Sequence, residues 1–270
     1  MIRLLGIYSA FHHEARHGNS AAIFSGAADT DQELMQACVR EQHATVGVLL
    51  SATDGTYGVR YFSAASELPY CVHGTLCLAK HLLPAEDTEL AVRARCMDIV
   101  LARRESAYFC SAEIPAFERT KPFDADGLLD ALGIVDDDLR QVVRVVDAGS
   151  PKALVEVNNL EKLVGLKVNA DRLIQWSRTN EVAGAYVHYA LGTGFYAARS
   201  FNPQTGIYED RATGVAAAAL MFALSGRHRN VEILQGADPA TACTIHAFVS
   251  GSSIWIGGAV NPLVREKSTV

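Results

Sequence analysis

Arg60-Tyr61-Phe62-Ser63 returns 139 positions later as Arg199-Ser200-Phe201-Asn202. Each copy ends an apolar, strand-like run, enters a loop and leads into an apolar helix. On the same shift Cys71 falls opposite Asp210, and Gly74-Thr75 opposite Thr213-Gly214. At a slightly different offset, Gly18-Asn19-Ser20-Ala21-Ala22-Ile23 pairs with Gly149-Ser150-Pro151-Lys152-Ala153-Leu154. Self-similarity of this kind marks a repeated structural unit. Two matched landmarks in each half predict an α/β protein built from two similar lobes.

Working outward, strand-like and helix-like segments alternate along the whole chain. Ile2–Tyr8 and Ala21–Phe24 read as strands. Thr30-Asp31-Gln32-Glu33 has the spacing of a capping box, with Thr30 as the cap and Glu33 reaching back. The helix it opens carries Leu34, Ala37 and Cys38 on one face and ends near Gln42. Thr45–Leu50 reads as a buried strand, and Thr56–Phe62 as its hairpin partner after the Asp54-Gly55 turn. A helix from about Thr75 to Leu83 stops at Pro84. Pro115 to Pro122, of mixed charge between two prolines, reads as the linker, which sets the lobes at 1–117 and 118–260. In the second half, strands Ala153–Val157, Ala183–Ala190 and Gly194–Phe201 precede a helix from about Thr213 to Leu224.

Bulk composition excludes several function classes. The chain has 270 residues, 49% of them hydrophobic, enough for two cores of ordinary domain size. Net charge is −6 with the two signs interspersed, so no basic stripe offers a nucleic-acid surface. No apolar stretch is long enough for a bilayer helix, and the N-terminus lacks a signal-peptide core. The six cysteines have no CxxC spacing and no second ligand pair for zinc, which reads as reduced thiols in a cytoplasmic protein with no metal.

Each half places a small-residue loop before a helix: Val72-His73-Gly74-Thr75 in one, Ala212-Thr213-Gly214 in the other. Helix N-termini present N–H groups and about half a positive charge, and bind carboxylates. If two such ends face one cleft, Cys71 and His73 flank it from one lobe and Asp210 from the other. That arrangement holds a carboxylate and exchanges protons with carbon.

At these residues the chain resembles the phenazine-biosynthesis isomerases of the diaminopimelate-epimerase fold superfamily. His17-Gly18-Asn19-Ser20-Ala21-Ala22 is similar to the family's early Gly-Asn-Pro-Ala-Ala stretch. Glu67-Leu68-Pro69-Tyr70-Cys71-Val72-His73-Gly74-Thr75-Leu76 resembles its Glu-x-Pro-Phe-Cys-Gly-His-Ala-Thr-Leu motif. Phe201-Asn202-Pro203, Gly206 and Glu209-Asp210-Arg211-Ala212-Thr213-Gly214 resemble Phe-x-Pro…Gly…Glu-Asp-Pro-Ala-Thr-Gly-Ser, and Gln235-Gly236 and Gly257-Gly258-Ala259-Val260 its closing segments. The resemblance implies a mixed sheet wrapped around a central helix in each lobe, a homodimer, no cofactor, and a last strand, 261–270, that returns to the first lobe.

The departures from the family pattern are specific. The family's catalytic glutamate falls at Ala44, within His43-Ala44-Thr45-Val46. The glycine before the motif histidine is Val72, and the serine after Thr213-Gly214 is Val215. The resemblance leaves Asp210 and His73 as catalytic residues. It implies Asn19, Ser20, Val72, Gly74, Thr75, Thr213, Gly214 and Val215 as substrate contacts.

Bland readings stand beside these. Asp210, next to Glu209, could be only a helix-start charge worth under about 1 kcal/mol. His73 could be an ordinary polar loop residue, although its usual pKa suits acid–base work near neutrality. Cys71 reads as packing, because a two-thiol racemase needs a second cysteine where the repeat offers Asp210. His43, beside Ala44, is a candidate substitute for the glutamate or simply a solvated helix end. His12, His13 and His17 precede Gly18 as an entrance loop or as solvated surface. The expected function is isomerisation by proton transfer on a small unsaturated amino or carboxylic acid. A cyclic imino acid of an alkylproline pathway in antibiotic or other secondary metabolism is the candidate. A silent carboxylate- or partner-binding relative and an amino-acid racemase are the alternatives.

Overall fold

A helix that is apolar around its whole circumference has no polar face to give to water, so it must be enclosed by other elements. Val215 to Leu224 is such a stretch, and its position organises half of the molecule. The computed structural model describes residues 1–12, 18–53, 55–86, 88–95, 97–112 and 115–265. His13, His17 and Cys96 lie outside the described residues.

In chain order the first elements are β1 (Arg3–Ala10), β2 (Asn19–Ser25), α1 (Gln32–Glu41), β3 (Val46–Thr53), β4 (Thr56–Phe62) and β5 (Glu67–Leu68). Then come α2 (Val72–Leu82), β6 (Thr88–Arg93), β7 (Asp98–Arg104), β8 (Ala107–Ala112), β9 (Phe117–Glu118), α3 (Ala125–Leu132), β10 (Arg144–Asp147) and β11 (Pro151–Glu156). They are followed by α4 (Leu160–Val164), α5 (Ala170–Asn180), β12 (Ala185–Gly192), β13 (Phe195–Asn202) and β14 (Ile207–Asp210). The last are α6 (Gly214–Leu224), β15 (Asn230–Gln235), β16 (Cys243–Ser250), β17 (Ser253–Gly258) and β18 (Val260–Arg265). The chain divides into two units, Met1–Glu113 with Ser250–Val270, and Ile114–Val249.

In the first unit β1 and β2 are antiparallel, β2 and β3 parallel, and β3 and β4 antiparallel. The short β5 lies against β4, which continues in parallel to β6, and β7 and β8 follow antiparallel. β17 then pairs with β8 and runs through Ala259 into β18, which pairs with β1. The sheet thereby closes on itself around α2, which packs against β1, β2, β3, β7 and β8. α1 lies on the other face, where Met35 and Val39 meet Ala22, Phe24, Leu49 and Phe62.

The second unit repeats this order. β10 and β11 are antiparallel, β11 and β12 parallel, β12 and β13 antiparallel. The short β14 lies against β13, which continues in parallel to β15 and then antiparallel to β16. α6 packs against β10, β11 and β15, and α3, α4 and α5 cover the opposite face through a cluster that includes Leu128, Leu132, Leu163, Leu173 and Trp176. The two-lobed mixed α/β architecture, with a helix as the hub of each sheet, is the one the sequence indicates.

Local details differ from expectation. The cap of α1 is Asp31, whose Oδ1 accepts from Leu34 N at 2.9 Å, while Thr30 Oγ1 turns back to Ala27 O. The helix therefore starts one residue later, buries Met35, Gln36 and Val39, and leaves Leu34 about half exposed (52%). α2 begins at Val72, so His73 is a helical residue and not a loop residue. Inside the stretch read as a linker, Phe117 and Glu118 pair with Asp147 and Val146.

Register also corrects the repeat. Arg60 and Arg199 are related by 139 positions, but Phe62 pairs with Glu67 as Phe201 pairs with Glu209, a spacing of 142. The helical turn Pro203–Thr205 supplies the three extra residues. Cys71 therefore corresponds to Thr213, both being helix N-caps, and Asp210 corresponds to Leu68.

Candidate active site

Each unit carries one candidate site region, and the two regions are built alike at their base. Arg60 Nε and Nη2 donate to Glu67 Oε1 and Oε2 at 2.9 and 2.8 Å, and its guanidinium lies 4.8 Å from the Phe62 ring centroid. Arg199 repeats this with Glu209 at 2.8 and 2.7 Å and with Phe201 at 5.0 Å. Bidentate pairs of this kind fix orientation as well as charge. Each arginine also reaches backbone carbonyls: Ala28 and Thr30 for Arg60, and Leu163, Val164 and Leu166 at the end of α4 for Arg199. The pairs lock the β4–β5 and β13–β14 hairpins that lead into α2 and α6. Glu209 is thus committed to the scaffold. Its neighbour Asp210 lies on the opposite face of β14.

In the first unit Cys71 is the N-cap of α2, and Val72, His73 and Gly74 form its first turn. Thr75 Oγ1 donates back to Cys71 O at 2.8 Å and lies 2.7 Å from the buried Tyr61 hydroxyl. Cys71 Sγ sits 3.2 Å from His73 Nδ1. A side chain at Gly74 would meet Val48 and Val46 at 3.0 and 3.1 Å, so the glycine lets α2 lie close on β3. Beneath the turn, burial pushes the Cys110 thiol up to about 12, and raises Tyr61, Tyr70 and Cys77 as well. Those groups stay protonated at neutral pH. The described cysteines form no disulfides.

Asn19 and Ser20 are separated by the pleat. Ser20 shares the α1 side of β2 with Ala22 and Phe24, and its Oγ accepts from Thr45 N at 3.1 Å. Asn19 lies on the α2 side and is buried. His43 is exposed at the end of α1 with φ +49°, and Ala44 packs against the apolar cluster beneath α1. Neither belongs to the α2 turn.

In the second unit Asp210 Oδ2 accepts from Thr213 Oγ1 at 2.7 Å, and Asp210 O accepts from Gln235 Nε2 at 2.8 Å. Gln235 Nε2 also reaches Thr213 Oγ1 at 3.1 Å, and its Oε1 accepts from Thr213 N at 3.1 Å and from the Tyr186 hydroxyl at 3.0 Å. This chain of bonds fixes the entry to α6 and aims the Asp210 carboxylate at its first turn. Gly214 and Val215 are the first residues of that turn. The sequence shows Gln235 only as part of a closing Gln-Gly segment and gives no sign of Tyr186. The alternation of Val231, Ile233 and Gln235 as buried positions on β15 is the signal that would have found Gln235.

One contrast separates the two central helices from the others. α1, α3, α4 and α5 are each capped by a side chain, from Asp31, Asp124, Asn159 and Asn169. α2 and α6 have no side-chain cap: Cys71 carries a thiol, and the Thr213 hydroxyl is turned to Asp210. First-turn N–H groups without a capping oxygen are suited to an anionic ligand. Among the described residues, no group of His, Cys, Asp and Glu side chains could hold a metal ion, and no helix is long and apolar enough to cross a membrane.

Comparison with known proteins agrees with the fold. Residues 8–255 match the family model for phenazine biosynthesis-like protein. The chain is 29% identical over 263 residues to the trans-2,3-dihydro-3-hydroxyanthranilate isomerase of Pseudomonas aeruginosa, covering 91% of this chain and 90% of that one. A solved structure of a predicted epimerase from Pseudomonas aeruginosa superposes with a TM-score of 0.80 at 23% identity, over 99% of both chains. A hydroxyproline epimerase from Agrobacterium vitis, solved with trans-4-hydroxy-L-proline bound, superposes with a TM-score of 0.60 at 14% identity, over 97% of this chain and 89% of that one. The two structures share the fold.

Proposed function

Because this chain belongs to the phenazine biosynthesis-like protein family, with relatives that carry isomerase names, we propose that it is an isomerase. It moves a proton, and with it a double bond, on a small unsaturated amino or carboxylic acid. Asp210 and His73 carry the proton, and no cofactor takes part. The uncapped first turns of α2 and α6 hold the substrate carboxylate and the negative charge that develops as the proton leaves.

The observation that supports this reading is the pairing of each uncapped turn with one proton carrier: His73 inside the first turn of α2, Asp210 just ahead of α6. The carriers are not related by the repeat, since His73 corresponds to Val215 and Asp210 to Leu68. An asymmetric pair suits an isomerase that lifts a proton from one carbon and returns it to another. The family's glutamate position is Ala44, packed on the α1 side, which argues against the relative's dihydro-hydroxyanthranilate as the substrate here. A cyclic unsaturated imino acid of an alkylproline route in secondary metabolism is the substrate we favour.

Deuterium incorporation tests the reading. Candidate unsaturated acids incubated with the protein in D2O are expected to gain deuterium at carbon, followed by NMR. Asp210→Asn and His73→Ala should each slow incorporation at least about 100-fold, the usual scale for a general acid or base. Exchange that survives both changes rejects the assignment. Binding of an acid without exchange would reassign the chain to a silent carboxylate-binding relative, the reading that Ala44 favours. Loss of optical rotation without a double-bond shift would make it a racemase.

A further inference from the structure

Lys152 is the charged residue that the fold does not need. It sits on β11 with 3% of its surface exposed, and Nζ donates to one backbone carbonyl, that of Ala183. An ammonium group has three donors and accepts nothing. A buried one with a single neutral partner is a net cost to stability unless an anion joins it. Burial holds the group down to about 8 against the opposing pull of the Asp210 carboxylate, so it still carries its charge at neutral pH.

The repeat shows that an apolar side chain fits the same place. Ile23 pairs with Val48, and Val48 with Tyr61; Leu154 pairs with Tyr186, and Tyr186 with Ser200. Lys152 therefore corresponds to Ala21, two residues before Ile23 on the same face. The substitution is one of a set. Ala21, Val48, Leu68 and Ala94 of the first unit correspond by register to Lys152, Tyr186, Asp210 and Gln235 of the second. The second sheet thus carries polar side chains where the first carries apolar ones: Tyr186, Gln235 and Asp210 are linked by hydrogen bonds through Thr213 at the start of α6, and Lys152 feels the Asp210 carboxylate. Residues that pair directly across strands share a face, so Leu154, Tyr186, Ser200 and Asp210 form one row, with Lys152 on the same side. Ser200 Oγ on that row is buried and lacks a partner.

We propose that Lys152 is a substrate-binding residue: its ammonium anchors the carboxylate of a small planar acid beside Asp210 and the first turn of α6. The lysine supplies the charge, and the Gly214 and Val215 N–H groups supply direction. This rests on the proposed function above for the identity of the reaction but not for the binding step.

The test compares acid and amide probes. Pyrrole-2-carboxylate and anthranilate, each beside its carboxamide, are titrated into the wild type and Lys152→Met by calorimetry. The wild type is expected to bind at least one acid about 10-fold or more tightly than its amide, a preference that an anion-anchoring charge gives. Lys152→Met, of similar length and without the charge, should erase that preference while its thermal unfolding stays at or above the wild-type temperature. Lys152→Ala, copying the first unit, should do the same and guards against poor packing of methionine. A preference for acid that persists in a folded variant overturns the proposal, as does a wild type that prefers no acid. If the wild type shows no exchange yet its acid preference depends on Lys152, the isomerase reading fails and the anchor stands.

Discussion

Glu209 and Asp210 show how much one peptide unit decides. Both are carboxylates at a helix entrance, and helix-dipole arguments treat them alike. The strand pleat sends Glu209 to the half-buried pair with Arg199 and Asp210 to Thr213 and the α6 turn. A second residue-scale contrast concerns His188, on the α6 side of β12, buried and with neither ring nitrogen in a well-formed hydrogen bond. Burial drives its pKa down to about 4 although Glu156 Oε2 lies 4.0 Å away. An unfolded histidine titrates near 6.5, so between about pH 6.5 and 4 the unfolded state binds more protons. Stability from His188 is therefore full above that window and is lost as pH falls through it. Glu156, raised by burial, acts with the opposite sign and offsets part of the loss. Urea unfolding of the wild type and His188→Leu at about pH 7 and pH 5 isolates the term. The drop between the two pH values should shrink by about 2 kcal/mol in the variant.

At the scale of elements, caps distinguish scaffold helices from working ones. If Asp31 caps α1, Asp31→Ala should cost about 1 kcal/mol in chemical denaturation, and Thr30→Ala clearly less, since Thr30 bonds only to its own turn. The reverse ranking would restore the capping box that the sequence suggests. Strand and helix order was readable because alternation and apolar runs are local properties. The hub helix α6 announced itself by lacking any polar face. The start of α1 is displaced by one residue because Thr30 and Asp31 are both good caps, and the loop geometry, not the residue type, chooses between them. The short strands β5, β14 and β9 went unread, since strands of two to four residues carry no period. β15 is legible in the alternation of Val231, Ile233 and Gln235. Of the candidate site, His73 and Asp210 came from motif resemblance. Lys152, Tyr186 and Gln235 needed the register, because only cross-strand pairing shows that three distant polar residues replace three apolar ones.

At the scale of the whole molecule, the repeat supplies two copies of one architecture with different chemistry at the hub. The first unit closes its sheet around α2; the second carries Lys152, Tyr186, Asp210 and Gln235 where the first has Ala21, Val48, Leu68 and Ala94. Closure depends on the chain's last strands, since β17 covers the edge of β8 and β18 the edge of β1. Open edges with unpaired backbone groups invite intermolecular pairing. Without β17 and β18, Ser111 Oγ would lose its acceptor, Ile254 O at 2.9 Å, and the burial that Ile256 and Val260 contribute would be lost with those residues. Full burial of such side chains is worth roughly 1.5–3 kcal/mol each, a large share of an ordinary domain's 5–15 kcal/mol. A chain ending at Val249 is therefore expected to lose amide protection in α2, read by hydrogen–deuterium exchange, and to aggregate. Protection of α2 that matches the full chain would show that the first sheet holds its central helix without closing. The Arg60–Glu67 pair and the α1 packing would then be sufficient to position His73.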